Sequence, residues 1–252
     1  GTPDGIPVLL DKEALAKKRR DQGGYIFASQ MLQNPKGDET QGFKREWLRW
    51  HKGSDGSGMN IYILGDPAGE KKKTNDFTVL VVVGLGGDDK YYLLDAVRDR
   101  LNLTERTREL FRLHRRWKPL DVGYEKYGKD SDIEHIQSEM TRLNYHFDIK
   151  PLGGSMKKND RIKKLIPLFE SARFYMPDTI FKTLYDGRTV DLIEQFINEE
   201  YDAFPVPVHD DMLDAIARVI DPELSAIFPR LHEDDKEDAY SSSNRRGSAW
   251  SS

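Results

Sequence analysis

The chain has 252 residues, 37% hydrophobic and 33% charged, which suits one large catalytic core with extensions and offers nothing near the roughly 20 apolar residues that a membrane span needs. It has no cysteine, so disulfides and thiolate metal sites are excluded and a metal would have only oxygen or imidazole donors. The formal net charge of −4 is matched by residues 232–238 alone, five acids against Lys236, so the remainder is near neutral and able to combine a basic face with an acidic pocket.

Residues 1–52 open with a basic helical pattern at 12–20 and close on Phe43, Trp47 and Trp50 at helical spacing. This stretch is too short and charged to bury a core of its own, so it reads as an extension whose aromatic residues pack on the next domain. A Gly/Ser loop at 53–58 follows. Residues 59–65, 77–85 and 91–94 are apolar or β-branched and predict a three-stranded antiparallel meander. Next come a helix over 103–117, a strand at 120–125, a helix at 131–144 and a strand at 147–152. Helices are predicted near 159–172, where Pro167 would kink or shorten the element, near 188–201 and near 210–220. Strands in succession and then helix–strand alternation predict an α/β domain over 53–222: a mixed sheet, meander plus parallel strands, with helices on both faces. That order is the one of the ribonuclease H-like fold. Residues 223–252, acidic and then Ser-rich, are expected to form a disordered tail.

Three segments carry carboxylates at chemically useful places. Asp66 closes the run Ile61-Tyr62-Ile63-Leu64-Gly65, and Glu125 closes Leu120-Asp121-Val122-Gly123-Tyr124. Both stand just outside strand ends, where open α/β sheets carry ligands; the bland alternatives are a turn-starting Asp66 and a Glu125 paired with Lys126 or Lys129. The third segment is His209-Asp210-Asp211-Met212-Leu213-Asp214. On a helix its three aspartates sit near one another, and like charges so placed call for a cation. Asp210 at the N-terminus is expected to cap the helix, which accounts for one aspartate and not three.

Hard oxygen donors suit Mg²⁺ or Mn²⁺, and two ions about 3.5–4 Å apart would activate water and stabilise the leaving oxygen of a phosphodiester. Asp66 is the expected bridging ligand, with Glu125 on one ion and Asp211 on the other. Asp214 is a fourth ligand or stands behind them, and Asp210 ranks last. His209 would orient water or phosphate, although a loop histidine is more often merely solvated. Lys72 and Lys73 follow Asp66, Lys126 and Lys129 follow Glu125, and Lys157, Lys158 and Arg161 run from a glycine-containing loop into a helix. These seven are the candidate phosphate contacts, and none suggests readout of base edges.

Leu64-Gly65-Asp66-Pro67, Gly123-Tyr124-Glu125, the segment from Asp160-Arg161-Ile162 to Pro167-Leu168-Phe169-Glu170, and His209 through Ala215 together resemble the nuclease domain of the large terminase subunit of tailed bacteriophages. The upstream segments 25–35 and 43–47 resemble the stretch that joins this family's ATPase to its nuclease. The resemblance implies a metal-dependent endonuclease that cuts concatemeric viral DNA during packaging, in the host cell cytoplasm. Two Mg²⁺ or Mn²⁺ ions would be held by Asp66, Glu125 and Asp211, with Asp214 close by. It further implies double-stranded DNA as substrate, a portal or procapsid and the small terminase subunit as partners, no membrane, and a monomer for the isolated fragment. One departure stands out: the family's ATPase carries a Gly-x-x-x-x-Gly-Lys-Ser/Thr loop and this chain has none, so a nuclease without ATP-driven translocation is expected. The missing initiator methionine fits a trimmed chain. The competing readings are a junction resolvase or transposase with similar acids, and a non-catalytic module docking on DNA or capsid. A haloacid-dehalogenase-type phosphatase would want a second aspartate where Ala68 stands.

Overall fold

The computed structural model describes residues 42–67, 77–126, 131–207 and 209–230. Lys72, Lys73, Lys129, the predicted helix at 12–20, the 25–35 segment and the tail from 231 onward lie outside the described residues.

Nine strands are described: β1 (Trp50–His51), β2 (Met59–Asp66), β3 (Thr78–Gly86), β4 (Tyr91–Asp99), β5 (Asp121–Glu125), β6 (Ile149–Leu152), β7 (Phe174–Pro177), β8 (Phe181–Thr183) and β9 (Thr189–Asp191). The helices are α1 (Leu103–Trp117), α2 (Ser131–Leu143), α3 (Lys158–Lys163), α4 (Ile166–Glu170), α5 (Leu192–Gln195) and α6 (Asp211–Ala217). Seven strands form one mixed sheet in the order β1-β7-β4-β3-β2-β5-β6, and β8 and β9 form a separate hairpin. β2, β3 and β4 are the antiparallel meander, while β5 joins β2, and β6 joins β5, in parallel. The architecture expected from the element order is present: a mixed sheet flanked by helices, as in the ribonuclease H-like fold.

Period-two alternation divides the core into two layers. Tyr62, Leu64, Val79, Val81 and Val83 face one layer, built with Phe169, Met212, Leu213 and Ile216. Ile61, Ile63, Leu80 and Val82 face the other, built with Leu110, Phe111 and Trp117 of α1 and Ile136 of α2. β3 lies mid-sheet and is buried at every position, which is why it reads as a continuous apolar run. α1 is set by a capping box: the Asn102 side chain accepts from the Glu105 N–H (2.9 Å), and the Glu105 carboxylate accepts from the Asn102 N–H (2.7 Å). Gly65 is required where it stands, because a Cβ there would meet the Tyr124 ring of the neighbouring strand at 2.6 Å.

The structure differs from the sequence reading in several elements. The 159–172 helix is two short helices, since Pro167 falls in the first turn of α4, where it has no N–H to give. The helix predicted near 188–201 begins as strand β9; Asp191 then caps α5 by accepting from the Ile193 N–H (3.0 Å), and a π-helical turn runs over Phe196–Tyr201. β7 and the β8–β9 hairpin have no counterpart in the reading, being only three or four residues long. Phe43, Trp47 and Trp50 do not share a helix: Arg45–Trp47 is a single 3-10 turn and Trp50 is in β1. Phe43 and Trp47 are buried in the first core layer, whereas Trp50 is 44% exposed. Residues 42–52 and 223–230 therefore pack on the same body, the latter through buried Leu224 and through Phe228 against Tyr91.

Candidate metal centre

Asp66 ends β2 on the side of Tyr62 and Leu64, and Glu125 ends β5 on the side opposite Val122 and Tyr124. Gly65 pairs with Tyr124 in the parallel register, so both acids leave the sheet side by side toward the layer that contains α6. Residues 212–217 of α6 are all buried, and Asp214 is carried with them. Asp66 is 6% and Asp214 1% exposed, and a carboxylate oxygen from each of Asp66, Glu125 and Asp214 lies within 4.8 Å of the others.

Burial, and next the nearby Glu125 and Asp214 carboxylates, push the Asp66 carboxyl well above its ordinary range, which the Lys158 ammonium offsets only in part. Glu125 Oε2 is buried without a hydrogen-bond partner. Three oxygen donors in mutual reach, one orphaned and one made hard to ionise by burial and by its neighbours, fit a divalent cation with oxygen preference.

Two buried arginines hold this arrangement. Arg161 of α3 donates through Nε to Asp214 Oδ1 (2.6 Å) and through Nη2 to Oδ2 (2.7 Å). Arg218, in the 3-10 turn after α6, pairs with Glu125 Oε1 and also donates to the Gly153 carbonyl (3.0 Å) and to Asp221 (3.0 Å).

Three of the four expected ligands thus converge, and the order within the last segment is inverted relative to the sequence reading. Asp211 stands a turn before Asp214 and outside the 4.8 Å set, at 3.2 Å from Lys158 Nζ. Asp210 does not cap α6; its carboxylate is 2.6 Å from the same ammonium. The N-terminal N–H of Leu213 is instead met by Glu200 Oε2 (2.9 Å), from the π-helical turn. Lys158, though burial works against its charge, is held protonated by Asp210 and Asp211, and is engaged with acids rather than turned to solvent. Arg161, a candidate phosphate contact in the sequence, is 6% exposed and committed to Asp214. Lys126 and Lys157 are exposed beside the centre. His209 packs edge-on against Phe77, 5.3 Å between centroids. Sequence reasoning missed Arg218 and Glu200. Arg218 had a signal, four residues after Asp214 and so on one helix face with it; Glu200 had none.

Burial pushes the Glu200 carboxyl up to about 7, against the pull of the Leu213 N–H and Arg98. Between about 4.5 and 7 the folded chain keeps a proton here that the unfolded chain has lost, so Glu200 favours folding at low pH and that contribution is lost as pH rises through this window. Metal-free protein is expected to lose up to about 3 kcal/mol of stability over that window from this group. Asp66 acts in the same direction. Denaturant melts at pH 5 and 7.5 should show the slope, and Glu200→Gln should flatten part of it.

Next to His209 opens a cleft of about 780 Å³, lined by Phe77, Arg98, Arg100, Tyr185 and Arg188 among others. Asp66 pairs with Val79, two residues beyond Phe77, so the cleft lies at the sheet end that carries the centre.

No protein-family model matches the chain, and no curated protein matches it by sequence. Among solved structures, the human cytomegalovirus terminase nuclease domain, soaked with manganese, matches at 10% identity over 75% of this chain and 100% of that one, with a TM-score of 0.50. The chain shares the fold of that domain. The large terminase nuclease of thermophilic phage G20c with bound zinc matches at 17% identity over 68% of this chain and 92% of that one (TM-score 0.44). The fowlpox virus Holliday junction resolvase matches at 15% identity over 62% and 92% (TM-score 0.37). In the fold as this chain builds it, the three acids stand at one sheet end, on the face that α6 covers.

Proposed function

We propose that the chain is a metal-dependent endonuclease that cleaves double-stranded DNA with little sequence preference, acting on concatemeric viral DNA during packaging. The observation that carries this reading is the buried triad Asp66, Glu125 and Asp214, drawn from β2, β5 and α6 with carboxylate oxygens within 4.8 Å. These residues would hold two Mg²⁺ or Mn²⁺ ions, with Asp211 as a further ligand. Bound ions would supply Lewis-acid stabilisation of charge on the phosphoryl oxygens and ease deprotonation of the attacking water. The protein's own share is positioning: a rigid sheet end and a buried helix fix the carboxylates, and the walls around them limit water. Arg100 and Arg188 in the cleft and Lys157 and Lys126 beside the centre offer a track for phosphates on either side.

Plasmid incubated with Mn²⁺ or Mg²⁺ should be nicked and linearised, and chelation should stop the reaction. Linear duplex should be cut at least as well as a four-way junction; a strong preference for the junction would replace this reading with a resolvase. On the proposed track, Arg100→Ala and Lys157→Ala should each weaken DNA binding evenly across sequences. Each should also lower the slope of log affinity against log salt by about one, measured by fluorescence anisotropy at several salt concentrations. An unchanged slope in both variants would move the track elsewhere.

A further inference from the structure

We propose that Arg161 and Arg218 are positioning residues for the metal centre, each fixing the orientation of one ligand carboxylate through directional hydrogen bonds rather than through charge. The inference rests on the reading of Asp66, Glu125 and Asp214 as metal ligands.

Both guanidinium groups are buried: Arg161 is 6% and Arg218 2% exposed. Neither is placed to meet a substrate from solution. Arg161 grips both oxygens of Asp214 at 2.6 and 2.7 Å, a fork geometry that stops the carboxylate from turning about its own axis. Arg218 takes Oε1 of Glu125 and leaves Oε2 buried and unpartnered among the triad oxygens. The same guanidinium donates to the Gly153 carbonyl and to Asp221, so it ties the end of β5, the loop after β6 and the end of α6 to one point. Of these, β5 and α6 are two of the three segments that carry the triad. Asp66 has no arginine or lysine within ion-pair distance among the described residues; the backbone of β2, hydrogen-bonded on both sides, fixes it instead.

Two physical effects of opposite sign act here. A guanidinium next to a ligand carboxylate repels an incoming cation, so as a counterion it weakens metal binding. As a geometric clamp it strengthens binding, because carboxylates of like charge this close would otherwise turn apart. Partners behind metal ligands are typically worth about 10–100-fold in metal affinity, and the paired geometry here places these arginines in that role. Lysine separates the two effects, since it keeps the charge and loses the planar fork.

The test uses the full chain and Mn²⁺ alone, with affinity read from the loss of the free-ion electron paramagnetic resonance signal. Wild type, Asp66→Asn, Arg161→Lys, Arg161→Met, Arg218→Lys and Arg218→Met are compared, and near-UV circular dichroism verifies folding of each. Expected: wild type binds, Asp66→Asn binds far more weakly, and at each arginine the lysine and methionine variants both lose about 10–100-fold. Where methionine prevents folding, the lysine variant, which keeps the buried charge paired, decides alone. Wild-type affinity in the lysine variants, or tighter binding in the methionine variants, would make the arginines mere counterions and overturn the proposal while leaving the triad reading intact. Failure of wild type itself to bind Mn²⁺, or undiminished binding by Asp66→Asn, would remove the triad reading and the proposal with it.

Discussion

Asp66→Asn is expected to abolish metal-dependent DNA cleavage while making the metal-free protein more stable. Burial, and next the Glu125 and Asp214 carboxylates, disfavour the ionised state of Asp66. An amide of the same shape lacks that charge, so the fold gains about 1–2 kcal/mol at neutral pH, or a few degrees in melting temperature. The same change removes one of the three proposed ligands. A loss of about 10³-fold in cleavage rate, equivalent to about 4 kcal/mol of transition-state stabilisation, is the expected scale. The two readouts together separate a functional carboxylate from a structural one, because a structural one would lose stability on neutralisation. Unchanged plasmid cutting by Asp66→Asn would dismiss the centre described above.

Phe169→Ala should cost about 3–5 kcal/mol and lower the melting temperature by roughly 10 °C. The ring is fully buried and touches three others, with centroids 5.4 Å from Phe43, 5.1 Å from Tyr201 and 4.8 Å from Phe174. Those partners come from the segment before β1, the π-helical turn and β7, so the cavity would loosen elements far apart in the chain. Phe169 also lies in the last turn of α4, the helix that follows the one carrying Arg161, and metal affinity is expected to fall along with stability. Calorimetric melts with and without Mn²⁺ would check both effects; a melting temperature within a degree of wild type would show that the aromatic cluster is not a single cooperative core.

The meander, α1, β5, α2 and β6 were legible because each carries its own periodicity over enough residues. α1 shows helical spacing and a capping box, and β3 shows an unbroken apolar run. β7 and the β8–β9 hairpin were not legible, since strands of three or four residues have no measurable alternation and are fixed by their neighbours. The placement of Asp66 and Glu125 at strand ends was legible because an acid closing an apolar strand is visible in one dimension. Asp214 rather than Asp211 joins the 4.8 Å set for a physical reason: three residues apart, both acids are neighbours on a helix, and only the rotation of α6 against the sheet decides which one faces in. That rotation is set by Met212, Leu213 and Ile216 in the core and by Glu200 at the N-terminus, a contact across thirteen residues that no local pattern records. Arg161 was read as a surface cation because its neighbours Lys157 and Lys158 are basic, whereas burial shows it facing inward.

The Tyr124 ring fills the space that the missing side chain of Gly65 leaves, and its hydroxyl donates to Asp132 (3.0 Å), itself held by Arg106 through two bonds of 2.6 Å. All of this lies on the far face of the sheet from the metal centre. β2 and β5 are paired directly up to Gly65 and Tyr124, so this packing braces from behind the backbone that presents Asp66 and Glu125. The carboxylates are in this sense held from behind: one methyl at Gly65 would meet the Tyr124 ring at 2.6 Å and have to displace it, disturbing both strand ends without altering any of the three acids.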